Sequence, residues 1–574
     1  MDSFPSYYMI FMKRTYWIIA ILLLCIAGIF SIQFLVPGYL ATIFGRRALR
    51  NICIKVEPSQ RDLCKTNPLS LLQEGKGKSA SLNASNISRY KIGLMEFQPR
   101  KDVPIWKISF PIPWDTDPFN DRNWRMSLNA GRIADNCMTS YQASKKPEMF
   151  RCAFDIFKDW YDFHMVRRVP NKFAWYDMSV AYRADRISKL LDWASQDPLL
   201  SNDEAKLLFK LAFLHIEYLL NPENLNEGNH AVFQLASLER ICKVTPYIDY
   251  CDAAHEWTPK MIELLTKSQF GEDGLQLEHS PGYHFFMVKT YQSLIEEGVF
   301  PLTPESIALY NKAKEMRFWL TSPDGEIPSI GDTGDDTIVK LKETDPDNGT
   351  FKVLPKDGLA IVRTPKSRLW FYGFHHSKVH KHDDDLSFYL WDRDQPLLID
   401  AGKYAYDSNE KRDYVLSRAA HNTAIIPGLS LNRSKFYGSG IKNLKKNGDE
   451  YFSTGSVQYE NGISHTRQLD FHPEKSLKIT DKFEGLQTVE INFLLSPKLE
   501  KIKTHGNKVT FQNKKLQLTI DTKTLDCKVQ TYKGVKDEKG MRGWYSPAYK
   551  ELEPTWSVTF ECPASQEIVT EISY

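Results

Sequence analysis

The spacing of apolar residues changes part-way along this chain, and that change limits the folds open to it. Up to about residue 320, apolar side chains recur at helical spacing, as in SNDEAKLLFKLAFLHIEYLL, where Ser201 and Glu204 form a capping box before an apolar stripe. From about residue 350, apolar and polar residues alternate, as in KVTFQNKKLQLTIDTK and PTWSVTFEC, which is typical of strands. The sequence therefore predicts an α+β multidomain protein, with helical hairpins followed by an antiparallel β-sandwich.

Length and charge set further limits. The 574 residues are too many for one hydrophobic core, so two large domains plus smaller segments are expected. The formal net charge of +3 is close to balance and the sequence carries no nucleic-acid-binding motif, so we expect no nucleic-acid partner. Aromatic residues make up 13% of the chain, which suits stacking on sugar rings as well as core packing.

The first 94 residues differ from the rest of the chain. Residues 16–36, YWIIAILLLCIAGIFSIQFLV, are nearly uncharged and long enough to cross a bilayer. Residues 1–15 precede them as a short tail, and residues 37–94 follow them as a connector. A signal peptide has a shorter apolar region and a clearer cleavage site, so an uncleaved transmembrane anchor is predicted. Basic residues flank both ends and leave its orientation open.

Eight cysteines lie outside this apolar segment and fall into pairs. An even count with short spacings is typical of disulfides in an oxidising compartment, whereas eight free thiols would suit the cytoplasm. The spacing favours the first alternative. The predicted pairs are Cys53 with Cys64, Cys137 with Cys152, Cys242 with Cys251, and Cys527 with Cys562.

Histidines and aspartates are concentrated in residues 374–390, FHHSKVHKHDDDLSFYL. If a strand begins here, His380 and His382 lie on the same face, because side chains two residues apart in a strand do so. Asp400 ends the apolar run PLLID, and His421 stands at the head of another strand. Two imidazoles and a carboxylate suit zinc. Spacing alone does not decide whether His380 is a ligand or a catalyst, and a solvated polar turn is the alternative for the whole stretch.

Two stretches of the helical region carry further polar groups. Asn229 and His230 lie in NEGNHAVFQLASLE just before a helix, and Tyr283 and His284 lie in LEHSPGYHFFMVKTYQSL. A carboxamide, imidazoles and a phenol are groups suited to removing a proton next to a carboxylate. Helix capping by Asn229 and core packing by Tyr283 are the structural alternatives.

Several motifs follow one another in order over roughly residues 95–430. They are NWRMSLNAGRIAD, AWYDMSVAYRADR, EGNHAVFQLASL, EHSPGYHFF, IGDTGD, HKHDDDLSFYLWDRDQPLLIDAGKYAYDS and RDYVLSRAAHNTAII. Together they resemble the heparinase II/III-like polysaccharide lyases, particularly members associated with bacterial surface-polysaccharide gene clusters. The resemblance implies an incomplete (α/α) toroid over residues 95–340, followed by an antiparallel β-sandwich over residues 341–574.

The resemblance also implies roles for individual residues. Asn229, with His230 beside it, matches the amide that neutralises the substrate carboxylate. Tyr283 matches the catalytic tyrosine, and His380 matches the catalytic histidine. The implied metal ligands, which bind mostly zinc in relatives and have a chiefly structural role, are His382, Asp400 and His421.

Three positions leave a choice or depart from the family pattern. Tyr406, fifteen residues before His421, matches a second active-site tyrosine, with Tyr404 as a near competitor. Gln234 occupies the neighbourhood in which relatives often carry a glutamate. Tyr176 stands where relatives often carry a histidine, so the substrate contacts of that helix stay open.

The implied activity is cleavage of a uronic-acid-containing polysaccharide by β-elimination. His380 or a deprotonated Tyr283 takes the C-5 proton, and a phenol protonates the departing glycosidic oxygen. The expected partner is an acidic polysaccharide, a cell-surface or extracellular glycan. Two rivals stay open: a uronate C-5 epimerase on the same fold, and a non-catalytic polysaccharide-binding or assembly protein.

A lyase for surface polysaccharides needs access to polymer beyond the inner membrane. Together with the paired cysteines and the anchor, this predicts a single-pass protein of the bacterial inner membrane, with residues 1–15 cytoplasmic and the catalytic body in the periplasm. The inner membrane is thus an expected partner through the N-terminal helix. The sequence fixes neither the oligomeric state nor the identity of the polysaccharide.

Overall fold

The computed structural model of the protein describes residues 95–169, 171–226, 228–299, 301–334, 339–341, 343–429, 435–459, 462–538 and 540–574. These residues form two compact units, the first ending at Met261 and the second beginning at Ile262. The boundary falls inside a helix, so the second unit begins with helices and continues with strands. The order of helices before strands is as predicted. The toroidal arrangement and the domain limits at residues 95–340 and 341–574 stay predictions.

The helices that form the first part of the described chain follow one short pair of antiparallel strands. These strands are β1 (Met95–Phe97) and β2 (Trp106–Ile108). The helices are α1 (Arg122–Asn129), α2 (Asp135–Ser144), α3 (Pro147–Tyr161), α4 (Asp177–Gln196), α5 (Asn202–Leu220), α6 (Asn229–Val244), α7 (Asp249–Gln269), α8 (Pro281–Glu296) and α9 (Pro304–Met316). A further helix, α10 (Glu410–Leu416), lies among the later strands.

Helix α5 shows why these segments become helices. The predicted capping box is present, and the Ser201 backbone N–H donates to the Glu204 carboxylate at 2.9 Å. This contact satisfies one of the amide groups that have no partner within the helix. Leu208, Leu211 and Leu214 then recur on one face and are buried in the core of the first unit. Burial of this face stabilises the helix more than its intrinsic propensity does.

The strands of the second unit form three larger antiparallel sheets. The five-stranded sheet has the order β3-β4-β5-β7-β8, the eight-stranded sheet has the order β11-β12-β13-β14-β25-β18-β17-β16, and the four-stranded sheet has the order β19-β24-β15-β9. The strands of the five-stranded sheet are β3 (Phe351–Leu354), β4 (Leu359–Arg363), β5 (Ser367–Tyr372), β7 (Ser387–Asp392) and β8 (Gln395–Leu398).

The remaining strands complete the other two sheets and several short pairs. They are β6 (Phe374–His375), β9 (Ala424–Ile425), β10 (Gly438–Ser439), β11 (Ile441–Asn447), β12 (Glu450–Gln458), β13 (Ser464–His472), β14 (Ser476–Glu484), β15 (Thr488–Leu494), β16 (Glu500–His505), β17 (Lys508–Gln512), β18 (Gln517–Thr522), β19 (Lys528–Lys533), β20 (Val535–Asp537), β21 (Gly540–Arg542), β22 (Trp544–Tyr545), β23 (Glu553–Pro554), β24 (Trp556–Pro563) and β25 (Ile568–Ser573).

The five-stranded sheet is covered on both faces. Phe371 and Leu390 of one face share a core with apolar residues of the eight-stranded sheet, such as Leu469. Trp370 and Trp391 of the opposite face belong to a second core. The eight-stranded sheet instead alternates buried and more exposed residues along β12, β13 and β14, so only one of its faces is covered. This second core includes Ile399, Ala401 and Ala420, which are the sequence neighbours of the polar residues Asp400 and His421 described below.

The segment that carries His380 and His382 is a loop, which corrects the expectation that a strand begins there. It connects β6, which ends at His375, to β7, which begins at Ser387. His380 has a φ of 54°, in the left-handed region, and an extended strand cannot continue through such a residue. Strand alternation therefore does not explain how the two imidazoles are presented.

Three of the four predicted disulfides are confirmed. Their Cα atoms lie 5.9 Å apart for Cys137–Cys152, 5.2 Å for Cys242–Cys251 and 4.3 Å for Cys527–Cys562. The first two lie within the helical region, and the third connects the end of a turn to β24. Cys53 and Cys64, the fourth predicted pair, lie outside the described residues.

The predicted membrane placement needs correction. The tail (residues 1–15), the anchor (residues 16–36) and the connector (residues 37–94) all lie outside the described residues. Within the part of the chain that the structure describes, no helix combines the length and apolar character needed to cross a bilayer. This finding contradicts the predicted location, a single-pass inner-membrane protein with a periplasmic body.

Candidate active site

Three buried side chains of the second unit come together as the sequence predicted. The ligand atoms offered by His382, Asp400 and His421 all lie within 4.8 Å of one another. Asp400 follows β8 directly, His421 precedes β9, and His382 comes from the loop before β7. His421 Nδ1 lies 2.9 Å from Asp400 Oδ2. Residues that are far apart in sequence thus form one cluster at strand ends.

The donor atoms of this cluster fit a metal ion. Among the described residues, His382 Nδ1 and His421 Nε2 are buried and have no hydrogen-bond partner. The other nitrogen of each ring bonds a carboxylate: His382 Nε2 lies 3.0 Å from Asp332, and His421 Nδ1 bonds Asp400. Each of these bonds places the ring proton on the bonded nitrogen. The unbonded nitrogens, His382 Nδ1 and His421 Nε2, therefore keep their lone pairs. Burial lowers the pKa of His382, which favours the neutral ring that a metal needs, whereas the contact with Asp400 outweighs burial and raises the pKa of His421. Two imidazoles and a carboxylate are ligands that zinc accepts.

Asp332 connects this cluster to the second histidine of the loop. Its carboxylate bonds His380 Nδ1 at 2.8 Å and His382 Nε2 at 3.0 Å. Arg412, from α10, donates two hydrogen bonds to the same carboxylate, at 2.5 and 2.9 Å. Burial alone would raise the pKa of Asp332, but the two histidines and Arg412 hold it well below its usual value. Asp332 is thus a buried anion shared by both imidazoles.

His380 stands beside two tyrosines. Its ring stacks on the ring of Tyr283, with centroids 3.7 Å apart and planes 22° from parallel. The hydroxyls of Tyr283 and Tyr406 are hydrogen-bonded to each other, and the Tyr406 ring lies 5.8 Å from that of His380. Tyr404, the competitor for the second tyrosine, packs instead in the second core. The structure therefore brings Tyr283, His380 and Tyr406 together, and it places Tyr404 elsewhere.

The two tyrosines hold their protons strongly. Burial is the main cause that raises the pKa of Tyr283, and its hydrogen bond to Tyr406 offsets part of this rise. Burial, and then the neighbouring Tyr283, raise the pKa of Tyr406 well above its usual value. Both phenols are therefore neutral near pH 7. A neutral phenol can donate a proton, but it cannot accept one at its oxygen as readily as a phenolate does.

The first unit carries its own polar group around His230. His230 Nδ1 lies 2.9 Å from Asp177 Oδ2, and the amide of Asn226 donates to the same oxygen. Burial would raise the pKa of Asp177, but the contact with His230 and the other hydrogen bonds lower it. Asn229 is buried as the first residue of α6, and the N-cap residue is Gly228, so capping is not its role.

The two departures from the family pattern have different structural settings. Gln234 is buried and structural: its amide donates to Asn224 O at 2.7 Å and its oxygen accepts from Asn226 N at 2.9 Å. It therefore holds the loop before α6. Tyr176 lies next to His230, with ring centroids 6.3 Å apart. The Arg122 guanidinium lies 5.7 Å from the centre of the Tyr176 ring, which places a positive charge next to this tyrosine.

Sequence reasoning missed the carboxylates that orient the histidines. Asp177 lies in AWYDM and Asp332 in IGDTGD, two motifs that carry the resemblance without implying a role for either aspartate. Asp332 is 48 residues from His380, so no local spacing signals their contact. His284, which the same reasoning considered as a functional group, is structural, because it donates to Ala313 O at 2.9 Å and accepts from Gln276 N at 3.2 Å.

Two family models match the sequence. The model described as heparinase II/III N-terminus matches residues 66–356, which is just over half of the chain. The model described as heparinase II/III-like, C-terminal, matches residues 347–572. The chain belongs to the heparinase II/III-like family. No curated protein matches it in sequence.

Solved structures of other proteins share the fold of this chain. A heparan sulfate lyase HepC mutant from Pedobacter heparinus is 16% identical, with a TM-score of 0.63, and the match covers 86% of this chain and 84% of that one. A heparinase III structure is 14% identical, with a TM-score of 0.67, and the match covers 80% of this chain and 79% of that one. At these identities the likeness shows a common fold.

Proposed function

We propose that this protein is a polysaccharide lyase that cleaves a uronic-acid-containing polysaccharide by β-elimination. Family membership supports lyase chemistry in general. The observation that carries the proposal is the stack of Tyr283 on His380, at 3.7 Å, with the Tyr406 hydroxyl bonded to that of Tyr283. These side chains supply a base and an acid within reach of one another, as an elimination requires.

His380 is the base in this proposal. Its Nδ1–H donates to Asp332 at 2.8 Å, which leaves Nε2 as the nitrogen that takes the C-5 proton. The carboxylate of Glu278 lies 3.7 Å from Nε2 and adds to the stabilisation of the protonated ring. Asp332 then stabilises the imidazolium that forms. Tyr283 is the weaker candidate for the base, because burial raises its pKa and disfavours the phenolate.

Tyr283 is the acid. Its phenol keeps its proton near pH 7 and can give it to the glycosidic oxygen as the bond between that oxygen and C-4 breaks. Tyr406 can pass a proton to Tyr283 through their shared hydrogen bond. Arg412, whose guanidinium lies 5.6 Å from the Tyr406 ring, favours negative charge that develops on either phenol.

Asn229 and His230 keep the role that the resemblance gives them, hydrogen bonds to the uronate carboxylate. Proton removal at C-5 pushes charge onto that carboxylate, so donors to it lower the barrier. One such donor contributes about 2.7–4 kcal/mol. Asp177 holds His230 at 2.9 Å through Nδ1, which leaves Nε2 for the substrate.

His382, Asp400 and His421 would hold a metal ion, and zinc suits these ligands. These residues come from the loop before β7, from directly after β8 and from before β9, so holding an ion would be a structural contribution. Because His382 and His380 share the carboxylate of Asp332, the ligand cluster also supports the position of the base.

A screen against uronate polysaccharides tests the proposal. Purified protein is incubated with heparan-like, alginate-like and capsular polymers, and products are followed by ultraviolet absorbance and mass spectrometry. A lyase generates an unsaturated sugar that absorbs in the ultraviolet. An epimerase would instead exchange the C-5 hydrogen with deuterium from the solvent without new absorbance, and a binding protein would do neither.

Tyr283→Phe is the active-site control for this screen. The change removes the proposed acid and should lower kcat by about 10²–10⁴-fold. Tyr291→Phe, on the same helix, is the matched control, since it removes a buried hydroxyl that bonds Thr266 Oγ1 at 3.0 Å but lies in no part of the proposed site. Equal activity of the two variants would remove Tyr283 from the mechanism.

A further inference from the structure

The loop that presents His380 lacks the regular hydrogen bonds of a strand. It runs from His376 to Leu386, between β6 and β7, and His380 itself has a positive φ. Asp332 holds the side chain of His380, but that contact does not fix the backbone on which the side chain stands. The distance between His380 and Tyr283 therefore depends on what holds this loop.

His279 bonds both ends of the loop segment that precedes His380. Its Nδ1–H donates to Val379 O at 2.8 Å, and its Nε2 accepts from the His376 backbone N–H at 3.0 Å. The imidazole is buried and lies nearly parallel to that of His376. Val379 directly precedes His380, so the bond from His279 to Val379 O fixes the backbone next to the residue that carries the catalytic imidazole.

Both contacts require one neutral tautomer of His279. Nδ1 must carry a proton to donate to a carbonyl, and Nε2 must be bare to accept from an amide. Burial, and then the charge of Lys381, hold the pKa of His279 well below its usual value, so the imidazole is neutral at physiological pH. A protonated ring would lose the bond to His376.

His279 is in turn fixed to the other catalytic segments. It has a φ of 62°, and its carbonyl oxygen lies so close to Gly331 that a Cβ added there would be 2.4 Å away. Gly331 precedes Asp332 directly. The next residue after His279, Ser280, caps α8 by accepting from Tyr283 N and also bonds Thr333 Oγ1 at 3.0 Å. The turns that carry Tyr283 and Asp332 are thus joined to the His380 loop through His279.

We propose that His279 is a positioning residue that sets the His380 imidazole against Tyr283. The inference rests on the proposed function for its catalytic consequence, and it concerns a residue that does not touch substrate itself. Without the bond to Val379, the segment before His380 keeps the bond from the His376 imidazole to Asp357 O, at 2.9 Å, but loses the contact that acts next to His380. A displacement of about 1 Å at a reacting group can cost about 10²-fold in rate.

Two substitutions of His279 separate its two hydrogen bonds. In His279→Asn, the side-chain amide nitrogen occupies the place of Nδ1 and can still donate to Val379 O, and asparagine tolerates a positive φ. In His279→Gln, the longer side chain reaches the place of Nε2 and can still accept from His376 N, but the donor to Val379 is lost. We expect kcat within about 10-fold of wild type for the first variant and about 100-fold lower for the second, with KM unchanged in both.

A second readout does not depend on turnover. Diethyl pyrocarbonate modifies accessible imidazoles, and peptide mass spectrometry gives the rate at His380, with the half-exposed His255 as internal reference. The rate at His380 should rise several-fold in His279→Gln and stay near wild type in His279→Asn. Thermal unfolding and metal content are measured for both variants.

The outcomes distinguish this inference from the proposed function. If wild type cleaves no uronate polymer, the proposed function fails, whereas the modification rates still test the position of His380. Equal kcat and equal modification rates in the two variants would overturn the inference. A folded His279→Asn variant that retains metal but loses about 100-fold in kcat would also overturn it, so the test stands even if His279→Gln does not fold.

Discussion

Asp332→Asn is the substitution that tests most of the second-unit site at once. The buried carboxylate accepts from His380, from His382 and twice from Arg412, and it is the only charge that the change removes. Asparagine keeps the shape of the side chain. One of its two polar atoms, however, becomes an N–H donor that faces groups which themselves donate. At least one histidine must therefore change tautomer or lose its bond.

The size of each effect follows from the contacts. Leaving Arg412 buried without its anion should destabilise the fold by about 3–5 kcal/mol. Removing the carboxylate that orients a metal-binding histidine, here His382, typically lowers metal affinity about 10–100-fold. Loss of the partner that orients the general base His380 should lower kcat by about 10²–10⁴-fold. The three effects occur together because one carboxylate makes all three contacts.

Asp481→Asn supplies the matched control. Asp481 is also fully buried and also bonds an arginine twice, Arg467 at 2.7 and 3.0 Å, but it lies on β14 and contacts none of the proposed ligands or catalysts. Both variants are measured by urea unfolding, by competition with a chelator for metal, and by turnover of the polymer identified in the screen. We expect similar losses of stability, with losses of metal affinity and turnover in Asp332→Asn alone.

If Asp332→Asn is destabilised like Asp481→Asn but binds metal and turns over as wild type does, Asp332 is a structural ion pair. Its contacts with the two histidines would then have no functional consequence.

Three further substitutions and a pH series on Asp481→Asn test separate parts of the site and the fold. His380→Ala should abolish turnover and leave metal content unchanged, whereas His382→Ala should lose metal and stability together; equal metal loss in both would make His380 a ligand. Asn229→Ala should lower kcat by about 10²–10³-fold, with a change of about 1 kcal/mol in the free energy of unfolding, and normal turnover would exclude it from the mechanism. Burial would raise the pKa of Asp481, but Arg467 and His465 together outweigh burial and lower that pKa from 3.8 to about 2. Ionisation of this carboxylate therefore adds about 2 kcal/mol of stability over its protonated form, which is present above about pH 4 and lost as pH falls towards about 2. Urea titrations should show a weaker acid dependence in Asp481→Asn.

The order of helices and strands could be predicted because it depends on local periodicity. Leu208, Leu211 and Leu214 recur at helical spacing because a helix returns to the same face after three or four residues. The disulfides Cys137–Cys152 and Cys242–Cys251 were equally predictable, since separations of 15 and 9 residues leave few alternatives. The position of His380 was not, because its left-handed backbone conformation depends on contacts with distant segments and has no local pattern of residues.

The candidate site was predictable as a set of residues but not as a network. The motifs identified His382, Asp400 and His421, and the structure brings them within 4.8 Å of one another. Asp332 lies in a stretch rich in turn-forming residues, where an aspartate usually reflects the turn itself. The choice between Tyr404 and Tyr406 also needed coordinates, because residues two apart in an irregular segment have no fixed relation.

The shared carboxylate of Asp332 changes how metal dependence should be interpreted in this protein. A chelator that removes an ion from His382, Asp400 and His421 would free His382 to move, and His382 shares its anion with His380. Turnover would then fall even though the ion takes no part in the chemistry. Loss of activity on chelation is therefore not evidence for a Lewis acid here. The distinguishing measurement is the rate at which diethyl pyrocarbonate modifies His380 before and after chelation. A changed modification rate would show that the His380 imidazole has moved. An unchanged modification rate together with lost turnover would indicate a direct role for the ion.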